Sequence, residues 1–201
     1  MKPAYPLQTE RLLLRPFTAG DLDALLAIQS RDDVTRYLYW DPRTAAEVRE
    51  VLDRKVRSTA IVAEGDNLSL AAVLRESGQL IGDCSLRWLS AEHRQAEIGF
   101  IFHPDHHGRG YATEAAAALL ALAFEGLRVH RVIGRLEARN TASARVLERL
   151  GMRKEAHLVE NEHVKGKWQS EIIYAQLEGE WLSRRPERGA GSAAELGGTR
   201  A

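Results

Sequence analysis

The chain has 201 residues, 44% apolar and 28% charged, enough for one substantial core and too little for two. Lysine plus arginine equals aspartate plus glutamate at 28 each, so no net field favours a polyanion, which argues against nucleic acid or an acidic membrane surface as principal partner. The lone Cys84 leaves no internal disulfide, the opening MKPAYPLQTERLLL has prolines and charges where a signal peptide needs an apolar run, and nothing approaches the roughly 18 apolar residues of a membrane span. The expectation is a cytoplasmic protein with no membrane partner.

In chain order, Arg11 to Arg15 is a short apolar run closed by Pro16 and reads as a strand. Thr18 then caps a helix reaching about Ser30, with Leu22, Leu25 and Leu26 on one face. A second helix opens at Thr44, where Thr44 and Glu47 have capping-box spacing and Val48, Val51, Leu52 and Val56 form the buried stripe. The aromatic run Tyr37 to Trp40 between them reads either as a plug over the core or as the wall of a ligand pocket. Strands follow at Leu68 to Leu74, Gln79 to Trp88 and Ala96 to Phe102, joined by short turns and therefore antiparallel.

A helix from Gly110 to about Phe124, a strand over Val132 to Glu137 and a helix from Thr141 to Leu150, ended by Gly151, come next. Two last strands, Met152 to Val164 and Trp168 to Leu177, flank the turn Lys165-Gly166-Lys167. From Arg184 onward the composition is glycine, alanine and charge, which predicts a disordered tail over 184–201 behind a single domain over 1–183. The class is α+β, an α/β layered domain with a mixed sheet of about seven strands and helices on its faces. Trp88, Trp168 and Trp181 read as packing residues, and Cys84 as a small core residue.

The most informative segment is EIGFIFHPDHHGRGYATEA, Glu97 to Ala115. An apolar strand enters a loop with two glycines that opens directly into an alanine-rich helix. Such glycines let successive backbone N–H groups turn inward, and the helix start adds unpaired N–H groups and the positive dipole end, a cradle for phosphate or pyrophosphate. It fits neither the dinucleotide fingerprint, which follows its strand immediately, nor the nucleoside-triphosphate loop, which needs a lysine after the last glycine. His103, His106 and His107 cluster around Asp105, but no second ligand group at metal spacing appears, and the expectation is no metal. In the second segment, EARNTASARVLERLGM, Asn140 sits at a strand-to-helix junction as an N-cap and Ser143 lies in the first helical turn.

Together HHGRGYATEA, the preceding AEIGFIF and the later RNTASARVLERLGM resemble the coenzyme-A-binding core of the GNAT N-acetyltransferases, and the opening LQTERLLLRPFTAGDLDAL resembles the RimJ/RimL-type branch that acetylates ribosomal-protein N-termini. The resemblance spans about residues 7 to 180. It implies acetyl-CoA as co-substrate and a sheet splayed between its fourth and fifth strands to admit it. The family's pyrophosphate pattern falls on His107, Gly108, Arg109, Gly110, Tyr111 and Ala112, followed by Thr113, with histidine replacing the usual glutamine or arginine at the first position. The pantetheine arm would take backbone contacts from Phe100, Ile101 and Phe102. Asn140 would hold the coenzyme near its thioester, and Ser143 would place a hydroxyl near the sulfur.

Many members carry a tyrosine that protonates the departing thiolate; that position is Leu147 here, which leaves Ser143 as donor. Glu97, at the start of the cradle strand, is expected to face the cleft as general base, its alternative being a cross-strand ion pair with an arginine; Glu92 and His93 are held in reserve. The N–H of Phe102 would polarise the thioester carbonyl. The implied reaction is direct acetyl transfer to a primary amine, either a protein N-terminal α-amino group or a small-molecule amine such as an antibiotic, amino acid or aminoacyl metabolite. A non-catalytic acyl-CoA sensor is the alternative that the missing tyrosine leaves open, and a monomer and a homodimer are equally compatible with the sequence.

Overall fold

The structure is a computed structural model and describes residues 1–184. Its centre is one sheet of strands β1 (Leu7–Gln8), β2 (Leu12–Pro16), β3 (Asn67–Leu74), β4 (Leu80–Ser90), β5 (Gln95–Phe102), β6 (Arg131–Glu137), β7 (Arg153–Val164) and β8 (Lys167–Leu177), in the order β1-β2-β3-β4-β5-β6-β8-β7. The strand beyond the expected seven is β1, two residues long and paired to β2 through Leu7 and Gln8. Neighbours are antiparallel except β5 and β6, which the intervening helix makes parallel.

Helices cover both faces. On one lie α1 (Leu22–Gln29) and α3 (Ala45–Arg57), whose Leu25, Ile28, Val48, Val51 and Leu52 bury against Ala71, Val73 and Leu80. On the other lie α4 (Tyr111–Ala121) and α5 (Thr141–Arg149), where Ala115, Ala116, Leu119 and Leu147 join Leu70, Ala72, Leu86 and Ile98. Alternate residues of β3 thus serve opposite cores, as the pleat requires. Cys84 is fully buried within the second, and burial pushes its thiol well above its ordinary pKa.

Local chemistry explains most boundaries. The Thr44 hydroxyl accepts from the Glu47 N–H while the Glu47 carboxylate takes the Thr44 N–H at 2.8 Å, so α3 starts on the expected capping box. At Thr18 the outcome differs. Asp21 accepts from the Thr18 N–H at 2.7 Å and from both terminal nitrogens of Arg15, and this tight knot winds Ala19–Asp21 as a 3-10 turn before α1 begins. The helix expected to reach Phe124 leaves α geometry after Ala121 and closes through a π turn over Leu122–Gly126. A four-residue helix, α2 (Asp32–Thr35), precedes the aromatic run.

Other expectations need correction. Arg184, placed at the start of the tail, is the last residue of α6 (Glu178–Arg184); the rest of that expected tail, 185–201, lies outside the described residues. Trp88 and Trp181 pack on the core and Trp181 stacks on Phe124, but Trp168 is 62% exposed on the outer hairpin, where its contact is the edge of His163. Among the described residues no helix is long and apolar enough to cross a membrane.

Candidate functional site

Strands β5 and β6 pair only at Gln95, Ala96 and Glu97, opposite Arg131, Val132 and Ile133, and then separate. The backbone groups of β5 beyond that point alternate. The His103 N–H bonds to the Ile81 carbonyl, so by the antiparallel register Ile101 and Gly99 also direct their backbone groups to β4, while Phe100 and Phe102 direct theirs into the gap. An extended ligand in the gap therefore meets the backbone groups of Phe100 and the N–H of Phe102, whose carbonyl the His107 ring takes. Ile101, expected among the backbone contacts, offers a side chain instead, because its N–H and C=O face β4.

Two cavities meet across this gap. One, about 430 Å³, runs along the α4 and α5 side; all the residues assigned to the coenzyme line it except Arg109. The other, about 330 Å³, lies on the α1 and α3 side under the aromatic run. They share Tyr37, Leu38, Phe100, Ile101, Asn140 and Ser143. The aromatic run is thus a pocket wall.

The glycine loop has the geometry of an anion cradle. Gly108 and Gly110 have φ of +74° and +82°, values a side chain would strain, and a Cβ at Gly108 would meet nothing within 4 Å, so the loop surface is open. Gly110 passes directly into α4, whose first N–H groups lack helical partners. His107 directs its side chain back: Nε2 donates to the Phe102 carbonyl at 2.9 Å, tying the loop to the end of β5. His103 Nδ1 accepts weakly from the Asp105 N–H at 3.3 Å, and the His106 ring meets those of His103 and Tyr111 edge-on.

The loop is also braced from outside by residues whose role has no local sequence signature. Glu114 accepts from the Thr9 hydroxyl at 2.6 Å and from Arg11 N and Nε at 2.6 and 2.7 Å. Arg11 Nη1 donates to the Arg109 carbonyl at 2.8 Å, and its guanidinium stacks on Tyr111 at 4.7 Å. Burial alone would raise the Glu114 pKa, but these donors outweigh it and hold the carboxyl below its usual range. Arg109 therefore contributes a braced backbone rather than a cavity wall. Arg145 and Arg149, one turn apart on α5, also face the coenzyme-side cavity; only the three-dimensional fold shows that this face of an amphipathic helix looks at the cleft.

Asn140 Oδ1 accepts from the Ser143 N–H at 3.1 Å, so it caps α5 and still presents its amide nitrogen at the junction of the cavities. The Ser143 hydroxyl is not used by that cap. Leu147 is 2% exposed and packs over β6, where a Cβ at Gly134 would fall 2.8 Å from it. An apolar group fills the space at that position and offers no proton.

Glu97 is the last β5 residue paired to β6, at the apex of the gap; by strand alternation it shares a face with Gly99 and Ile101, which line the acceptor-side cavity, but it lies outside the lining of both cavities. Arg87 is opposite it on β4, yet Glu97 forms no ion pair among the described residues. Burial raises its pKa, and the nearby charges of Arg135 and Arg87 only partly offset this. Glu92 and His93 lie exposed in the turn between β4 and β5, at the opposite end of β5 from the glycine loop, which removes them from the chemistry.

Comparison with known proteins agrees with this geometry. Residues 11–153 match the model of the acetyltransferase (GNAT) domain. The chain is 31% identical to the uncharacterized N-acetyltransferase YnaD of Bacillus subtilis over 87% of its own length and 98% of that protein. It is 25% identical to spermidine N(1)-acetyltransferase of Vibrio cholerae over 87% of its length and 97% of that enzyme. A GNAT-family acetyltransferase structure from Bacillus anthracis superposes with a TM-score of 0.78 at 31% identity, covering 87% of this chain and 99% of that one. A family model spanning most of the chain and relatives matched over nearly their whole length settle the class: this chain belongs to the GNAT family and is an acyl-CoA-dependent N-acetyltransferase.

Proposed function

We propose that the protein moves the acetyl group of acetyl-CoA directly to the primary amine of a small molecule while both are bound. The observation that carries this reading is the meeting of the two cavities at Ser143 and Asn140, one cavity carrying the anion cradle and the other of a size that suits a small acceptor. Phosphates would lie on the loop from His107 to Thr113, with Arg145 and Arg149 adding positive charge, and the pantetheine arm would pair with the open backbone edge at Phe100 and Phe102.

The chemistry then needs few groups. The acceptor nitrogen loses a proton, forms the new C–N bond, and the C–S bond breaks. Glu97, its basicity raised by burial, takes the proton through water, because it lies outside the lining of both cavities. The Phe102 N–H points into the gap and polarises the carbonyl oxygen. The Ser143 hydroxyl hydrogen-bonds the departing thiolate, in place of the tyrosine that Leu147 displaces, and passes it a proton that solvent restores to the hydroxyl as the thiol leaves. No acyl-enzyme is required.

A protein N-terminal α-amino group is the second acceptor, favoured by the resemblance of the opening segment to the RimJ/RimL-type branch. Release of free thiol from acetyl-CoA, measured against small amines and N-terminal peptides beside direct coenzyme binding, tests the proposal. Release with small amines supports it, release with peptides alone selects the second acceptor, and binding without release from any amine leaves a sensor.

A further inference from the structure

The acceptor-side cavity contains more charge than its size suggests, and most of that charge cancels locally. Lys55 Nζ meets Asp83 Oδ1 at 2.9 Å, and Gln29 Nε2 reaches the other oxygen of Asp83 at 3.3 Å; Gln29 and Asp83 are 1% and 5% exposed. Across the cavity Arg135 stands 3.6 Å from the buried Glu171, and Arg139 holds Glu137 at 2.8 Å. Each of these cations has its own carboxylate.

Arg43 and Arg54 do not. Both line the cavity, and neither forms an ion pair among the described residues. Arg43 spends one nitrogen on Gln29 Oε1 at 2.6 Å and lies over the Trp40 ring at 3.8 Å, which fixes its plane. Burial, and then the charge of Arg54, pulls the Arg43 pKa down, and the carboxylates of Asp83 and Glu47 only partly offset this. Val51, Arg54 and Lys55 project from one face of α3 into the cavity, so Arg54 is placed by the same turn that buries Val51. Arg43 is half-buried and Arg54 exposed at the cavity wall, so two like charges stand on one wall with no carboxylate paired to either, and an anionic ligand there would relieve their repulsion.

We infer that the acceptor amine carries an anionic group, a carboxylate or a phosphate, which Arg43 and Arg54 bind while the amine reaches the junction at Ser143. This rests on the transferase reading of the same cavity. It sets the substrate class apart from polyamines, whose second positive charge would meet two arginines of the same sign. Guanidinium forks suit either anion, since both present paired oxygens.

The test measures kcat/KM by thiol release for matched acceptors: L-amino acids against their carboxamides, phosphoethanolamine against ethanolamine, and spermidine alone, for the wild type, Arg54→Gln and Arg54→Lys. Arg54 is exposed, and thermal melts check that the variants fold. The anionic member of a pair should exceed its neutral partner at least about tenfold in the wild type, through KM, and Arg54→Gln should remove about tenfold of that preference while Arg54→Lys keeps part of it. The pair that shows the preference separates carboxylate from phosphate. Preference for neutral amines or spermidine, or a preference that Arg54→Gln leaves intact, overturns the inference and leaves acetyl transfer standing. Release from no amine, with coenzyme binding intact, overturns it together with the transferase reading.

Discussion

The His107 ring donates to the carbonyl oxygen of Phe102 at 2.9 Å, so the glycine loop is hydrogen-bonded to the strand whose open edge it adjoins. His107→Ala removes one such bond, a net loss of about 1 kcal/mol, equivalent to about fivefold. We expect KM for acetyl-CoA to rise by about that factor with kcat nearly unchanged, and His107→Gln, which retains a donor, to recover part of the loss. Initial rates at saturating acceptor measure both.

Ser143 should behave oppositely. Its N–H caps α5 through Asn140 while its hydroxyl makes no hydrogen bond among the described residues, so Ser143→Ala should fold normally and bind coenzyme A as the wild type does. Losing the proton supplied to the thiolate should lower kcat by about a hundredfold, within the usual range for a positioned acid.

Glu97 links activity to stability. Its folded-state pKa is raised, chiefly by burial, so the folded protein prefers it protonated; the associated stability is fully present below the unfolded value and is lost as pH rises through the folded value. At neutral pH the charge is thus a cost. Glu97→Gln should lose most of kcat, abolish the acid limb of the pH–rate profile, and melt at the same temperature as the wild type or higher at pH 7. Melting curves at pH 4 and 7 beside the rate profile check this.

Glu114 has the reverse sign. Its pKa is held below the usual carboxylate range by Thr9 and Arg11, so its contribution is present above the unfolded value and is lost as pH falls through the folded value. Glu114→Gln should release Arg11 from the glycine loop, lowering Tm and raising KM for acetyl-CoA at pH 7, with the difference from wild type shrinking below about pH 4. Differential scanning calorimetry across that range reads it.

Much of this arrangement was legible in the sequence because it depends on local rules. The capping box at Thr44, the two glycines before α4, Gly151 after α5 and the period-two strands each specify their conformation within a few residues. What the sequence did not show depends on long-range placement. The brace on the loop joins Arg11 to Glu114, 103 positions apart, and the direction of the Ile101 backbone follows from its register with β4. Glu97 stands outside the lining of the cavities because the strands part only after it, and a strand pattern does not mark where its neighbour diverges. Trp168 is exposed because it sits at the turn end of the β7–β8 hairpin, beyond Glu171 where β8 stops pairing with β6, which hydrophobicity alone cannot distinguish from core.

The central claim is that both substrates occupy cavities that meet at Ser143 and react there directly. Initial rates measured while acetyl-CoA and an active acceptor are varied together test it most directly. Intersecting double-reciprocal lines, with no thiol released before acceptor is added, are the predicted result. Parallel lines, or a stoichiometric burst of thiol from acetyl-CoA alone, would show an acyl-enzyme and contradict the account.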